Sequence, residues 1–256
     1  MPIHYSRKLT GRNRNKATNR QLGFILAFVA GAINAGGFLA VQQYTSHMTG
    51  IVSAMADHIA LGAYSLALTG IGALLSFLAG AACSAVMVNY ARRHNFHSEY
   101  AFPLLVEAGL LLCFGLLGAR LADIDGIFVS VTVMLLSFIM GLQNALITKL
   151  SNAEIRTTHI TGIVTDIGIE LGKLFYWNCA HPDNPPKVRA DRLRLKVLVS
   201  LAVFFFIGGV IGALGFKHVG YVATVPLALT LMALVVGPIA DDLNDFSKNQ
   251  KSRRQP

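Results

Sequence analysis

The chain has 256 residues, 54% of them hydrophobic and 14% charged, with a formal net charge of +9. Soluble domains carry about 25% charged residues, so a water-soluble globular domain is excluded. The surplus positive charge flanks apolar runs without any nucleic-acid recognition motif, which excludes a nucleic-acid-binding protein as well.

In chain order, a basic tail (residues 1–20) precedes an apolar run from Gln21 to Val41. That run is longer than the 7–15-residue core of a signal peptide and has no small-residue cleavage pattern, so it reads as a membrane span. Five more apolar runs follow, at roughly 65–90, 101–120, 127–147, 195–216 and 219–238. Each is predicted to be a helix of membrane-crossing size, because a lipid-exposed segment must satisfy its own backbone hydrogen bonds. A second basic tail covers 241–256. Cys83, Cys113 and Cys179 are expected to form no disulfide.

Two further segments are helical but make poor spans: "TGIVSAMADHIALG" (49–62) and "TGIVTDIGIELGKLFYW" (161–177). Asp57 sits part-way along the first, Asp166 and Glu170 along the second. A charge at the bilayer centre costs at least about 2.5–3.5 kcal/mol, so both are predicted to be short re-entrant or interfacial helices. Charge placement agrees. If only six runs cross and the amino terminus is inside, 20 of the 22 Lys and Arg lie inside, with Arg120 and Lys217 outside. If the short helices crossed too, the split would be 17 to 5.

The short helices begin at a repeated heptapeptide, "SHMTGIV" (46–52) and "THITGIV" (158–164), identical at five of seven positions. "GAINA" (31–35) precedes the first copy and "GLQNA" (141–145) the second, while "LG" follows each at 61–62 and 171–172. Each half then reads span, short helix, span, span, and the odd number of crossings inverts the second half. The expectation is an all-α integral membrane protein with six transmembrane helices, two short helices and a 3+3 inverted-topology repeat, a recurring transporter plan. It forms one membrane domain over 21–240, with halves at 21–120 and 127–238. Small residues recur every fourth position in the second span of each half, at Gly72, Ser76, Gly80 and Ser84 and at Gly208 and Gly212, a spacing that lets helices approach closely.

The heptapeptides supply the candidate binding residues. A helix start leaves forward-pointing N–H groups, which a Ser or Thr there can cap. His47 and His159 can donate, accept or carry a proton, with Thr49, Thr161, Asn34 and Asn144 adding polar groups. The expectation is one midplane site shared by both copies; the alternative is that these residues only brace two turns. Candidate proton- or ion-coupling groups are Asp57, Glu107, Asp166 and Glu170. Glu107 lies inside an apolar span, where an acid is functional by default. Asp166, Glu170 and Lys173 share one helix face, which otherwise simply looks at water.

"NAGGFLAVQQYTSHMTGIV", with its Asn-Ala and His-x-Thr-Gly elements, resembles the signature of the YoaK-like family of bacterial multi-spanning membrane proteins. The resemblance runs from about residue 20 to 240. It implies about six spans and the bacterial inner membrane, and it carries over no substrate.

The expected function is transport of a small polar solute, proton-coupled through one of the acids. The alternatives are a passive channel and a structural or regulatory membrane protein. A membrane-embedded enzyme is not expected: there is no HExxH, CxxC or Gly-x-Ser-x-Gly pattern. The "HNFH" at 94–97 is too little for a metal site. No cofactor is expected. Expected partners are membrane lipids, the solute and a second copy of the chain.

Overall fold

The computed structural model describes residues 9–10, 15–96, 98–121, 127–151, 157–178 and 187–252, with backbone only at 117–121, 127–129 and 244–252. Of the sequence-predicted features, Cys179, Arg156 and the second histidine of "HNFH" lie outside these residues. Cys83 and Cys113 are free thiols.

Eight α-helices account for nearly all of the described chain: α1 (Lys16–Val41), α2 (Met48–Ala60), α3 (Tyr64–Arg93), α4 (Ala101–Leu121), α5 (Ile127–Leu150), α6 (Ile160–Phe175), α7 (Arg192–Val219) and α8 (Thr224–Ser252). Four stretches are long and apolar enough to cross a membrane: Lys16–Val41, Tyr64–Arg93, Ser130–Leu150 and Arg192–Leu243, the last covering α7 and most of α8. Ala101–Leu116 is a shorter apolar helix. Along α3 and α7 the outward side chains are Leu68, Leu75, Leu78, Val86, Val203, Phe206 and Val210, all exposed. Such an apolar exterior fits lipid and not water, so the chain is an all-α membrane protein.

The predicted boundaries hold within a few residues except at the last helix, expected to begin at 219. Gly220, at φ 68°, stops α7, a 3₁₀ turn follows over Gly220–Ala223, and α8 begins at Thr224. The helix then continues past Pro238 to Ser252, through the segment read as a tail.

Four glycines decide how the long helices pair. A Cβ at Gly31 of α1 would strike the Phe205 carbonyl oxygen of α7, and one at Gly208 of α7 would strike that of Phe28 in α1. The pair α3/α5 repeats this: Gly80 faces the Phe138 carbonyl and Gly141 faces that of Phe77. Every one of the four is a Phe-x-x-Gly tetrapeptide. Backbone against backbone is possible only without side chains between. Gly36 of α1 lies against Phe216, so contacts advance in step from Gly31–Phe205 to Gly36–Phe216 and α1 and α7 run parallel. Gly80 against Phe138 and Lys149 Nζ on the Ala85 carbonyl (3.4 Å) show the same for α3 and α5.

Of the predicted small-residue stripes, Gly80, Gly208 and Gly212 do carry close backbone approaches, whereas Gly72 faces only the Met134 side chain. α4 and α8 run antiparallel: Thr224 Oγ1 donates to the Leu111 carbonyl (3.0 Å), and the Ser98 N–H to Asp242 Oδ2 (2.9 Å). α1 and α5 are antiparallel too, since Asn19 at the start of α1 donates to the carbonyl of Leu150 at the end of α5 (3.3 Å).

Candidate functional site

α1 and α7 have capped starts. Asn15 Oδ1 accepts from the Thr18 N–H (2.8 Å), and Asp191 Oδ1 accepts from the N–H groups of Leu193 (3.0 Å) and Arg194 (2.9 Å). The two short helices have none. His47 and His159 occupy the cap positions of α2 and α6, and neither side chain bonds a backbone N–H. The first intrahelical bonds are Ile51 N–H to His47 O and Ile163 N–H to His159 O, both 3.1 Å. The N–H groups before them, including those of Thr49 and Thr161, are the orphan donors of a helix start. The expected capping by the preceding Ser or Thr is therefore corrected. Ser46 donates instead to Asn34 Oδ1 through its hydroxyl (2.9 Å) and N–H (3.3 Å), and Thr158 Oγ1 donates to Asn144 Oδ1 (2.6 Å).

These bonds explain the Asn-Ala elements. Asn34 lies seven residues before the end of α1 and Asn144 six before the end of α5, or about 10 Å back along each helix at ~1.5 Å per residue. The chain leaves each long helix, turns back, and is tied at that depth before the short helix starts. The glycine has its own reason: a Cβ at Gly50 would meet the His47 ring and one at Gly162 the His159 ring. His-x-Thr-Gly thus folds the imidazole over the first turn of its own helix.

Each histidine lines a cavity. That of His47, about 390 Å³, is walled by Phe38 of α1, by Tyr44 in the turn after it, by Gly50 and His58 of α2 and by Thr69 of α3. That of His159, about 800 Å³, is walled by Lys16, Asn19 and Arg20 of α1, by Thr161 and Asp166 of α6 and by Arg194 of α7. The cavities have no lining residue in common. Arg20 and Phe38, their nearest members on α1, are about 27 Å apart along the helix axis. Between them Leu22, Leu26, Val29, Ala30 and Ile33 are fully buried. The expectation of one shared midplane site is therefore not met: the copies serve separate cavities at opposite ends of α1. The antiparallel packing of α1 and α5 is the physical reason, since it carries the ends of these helices, and the motifs tied to them, apart.

The acids divide. Asp57 is exposed on α2. Asp166 pairs with Arg194 (3.0 Å) beside the larger cavity. Glu170 is buried; it accepts from Lys173 Nζ (2.8 Å) and from the Asp191 N–H (2.8 Å), with Arg194 at 3.9 Å. It fastens α6 to the start of α7. The Lys173 hydrogen bond, followed by that of Asp191, holds the Glu170 carboxyl below the usual carboxylate range.

A folded value below the unfolded one means stability that is present above the ordinary range near pH 4.3 and lost as pH falls through the lower folded value. Hydrogen exchange of the α6 amides is expected to quicken in that acid window for the natural chain. Glu170→Gln should exchange faster at neutral pH and show no such step.

Glu107, in α4, is fully buried, and Gln143 of α5 donates to its Oε1 (2.9 Å). Gln143 is a functional candidate that the sequence reading missed. Its one signal was a polar side chain in an apolar run, in the "GLQNA" where the first half has Ile33. Among the described residues no group of three His, Cys, Asp or Glu stands together to hold a metal.

No solved structure matches the chain. A relative, the UPF0700 transmembrane protein YoaK of Bacillus subtilis (strain 168), is 27% identical over 211 residues, covering 80% of this chain and 88% of its own length. The family described as "Protein of unknown function (DUF1275)" matches residues 22–237. That span takes in both Phe-x-x-Gly pairs, both His-x-Thr-Gly starts and the Glu107–Gln143 pair, and the chain belongs to the DUF1275 family of YoaK-like membrane proteins.

Proposed function

We propose that the chain is a carrier of a small polar solute in the bacterial inner membrane, built as a 3+3 inverted repeat with six crossing helices and both termini inside. In this reading α2 and α6 are re-entrant half-helices. The observation that carries it is the pair of like-built cavities, one at each end of α1, separated by a buried apolar layer. Each has an uncapped helix start with a histidine over it. Each cavity is then one face of a path that opens in turn to either side, and the free N–H groups suit a carboxylate or another electron-rich group on the solute. His47, His159 and Thr161 line the cavities and contact solute, Thr49 lies outside the wall of the His47 cavity, and Asn34 and Asn144 set the depth of the helix starts. Glu107 couples an ion to the cycle, and Asp166 and Glu170 serve the inner half through their pairs with Arg194 and Lys173.

The separation of the cavities favours a carrier over a passive channel, since an open pore needs a continuous lining. Purified protein in liposomes that enclose a pH-sensitive dye tests this against a panel of small carboxylates and amino acids. The expected result is saturable, gradient-dependent uptake of one class. Non-saturable flux would identify a channel, and no flux across the panel would contradict transport of these solutes.

A further inference from the structure

Two acceptor oxygens, Glu107 Oε2 and Gln143 Oε1, are buried without any hydrogen-bond partner in the same side-chain pair whose other atoms, Gln143 Nε2 and Glu107 Oε1, are bonded at 2.9 Å. Buried polar atoms in native proteins are almost always satisfied, and each exception needs a reason. A carboxylate and an amide oxygen have no hydrogen to offer each other. A carboxylic acid has one.

We infer that Glu107 carries a proton on Oε2 and donates it to Gln143 Oε1, closing a two-bond acid–amide ring that ties α4 to α5. One proton satisfies both orphan oxygens. Neither residue lines either cavity, so the ring is sealed in the core in this conformation. No described cation competes for the role. On the elements packed against α4, Arg92 of α3 binds Glu99 and Tyr100, and Lys149 of α5 binds Asn89 and the Ala85 carbonyl. Arg93 is exposed at the end of α3, and Asp242 of α8 accepts from the Ser98 N–H. A metal cation in place of the proton would need several oxygen ligands beyond this pair, and among the described residues no group of three His, Cys, Asp or Glu stands together to supply them. Resting on the carrier reading, the ring is the coupling site and its ion is a proton. The proton leaves Oε2 for water when α4 and α5 part, and returns before they close.

Infrared spectroscopy of the purified protein in lipid nanodiscs at neutral pH tests the ring without any transport assay. The expected result is a protonated-carboxyl stretch that disappears in Glu107→Gln and shifts to higher frequency in Gln143→Leu, where the acid loses its acceptor. Glu107→Gln can remake the ring with its own amide and so should stay folded, which a thermal unfolding scan verifies. No such stretch in the natural chain, or one that survives Glu107→Gln unchanged, would overturn the protonated ring. If the stretch is present but the liposome panel shows no flux, the ring stands as a structural lock and transport of those solutes fails alone.

Discussion

Alanine at Gly31, Gly80, Gly141 or Gly208 is expected to leave little or no folded protein. Each Cβ would enter a backbone carbonyl of the partner helix, and that carbonyl belongs to the partner's own helical ladder and cannot rotate away. Overpacking against side chains that give way costs about 1–3 kcal/mol. Backbone cannot give way, so each change should cost at least the upper part of that range, a large share of the ~5–15 kcal/mol that holds a typical protein folded. Gly109, Gly168 and Gly172 are the controls: a Cβ there meets nothing within 4 Å, and alanine in a helix is favoured over glycine by about 0.5–1 kcal/mol. The monodisperse fraction after detergent extraction, with the unfolding midpoint of whatever remains, checks both groups. Well-folded Gly31→Ala and Gly208→Ala proteins would mean that α1 and α7 do not meet as described.

The second large effect concerns the histidines, and its sign depends on the cavities being separate. His47→Ala is expected to raise KM for solute presented to the α2 end about ten- to hundredfold, with little change for solute presented to the α6 end. His159→Ala should do the reverse. The size follows from losing one hydrogen bond to a charged group on the solute, about 1.5–3 kcal/mol, or roughly one to two decades. The double variant should show both defects, added and uncoupled, as sites with no shared partner do. Uptake into liposomes and efflux from preloaded ones measure the two KM values. Equal defects on both sides from either single change would restore a shared site.

Much of the architecture is legible in the sequence, and what is hidden there has identifiable physical causes. Long apolar runs announce the spans, and acids within a few residues of the repeated heptapeptides mark α2 and α6 as different. The start of α8 lies later than the apolar pattern implies, because apolar residues resume at Val219 directly after Lys217 and His218 while the chain is still turning. The break rests on Gly220 taking φ 68°, a backbone state that composition does not reveal. The Phe-x-x-Gly contacts were invisible because nothing in a glycine says which helix faces it. Only Gly80 and Gly208 fall in a stripe of small residues at every fourth position.

At the site, residue types were legible and relations were not. Asn34 and Asn144 read as ligands from residue type alone, yet their oxygens accept from Ser46 and Thr158, each twelve or more residues away. The convergence of His47 and His159 followed from inverting one copy, but inversion fixes only direction. How far each helix start penetrates depends on where Asn34 and Asn144 tie the chain, and on the antiparallel course of α1 and α5. Gln143 gave almost no signal, because its partner is 36 residues away on another helix.

The two His-x-Thr-Gly starts lie in separate cavities at opposite ends of α1, which the carrier reading opens to opposite sides of the membrane. His47→Cys and His159→Cys, each in a background with Cys83, Cys113 and Cys179 replaced, test that opening directly with a membrane-impermeant thiol reagent. Both positions are exposed in the structure. In intact cells with the outer barrier made permeable, the cysteine at 47 should label and the one at 159 should not; in inverted vesicles the pattern should reverse. Labelling of both positions from the same side would contradict the inverted repeat and, with it, the paired-cavity carrier.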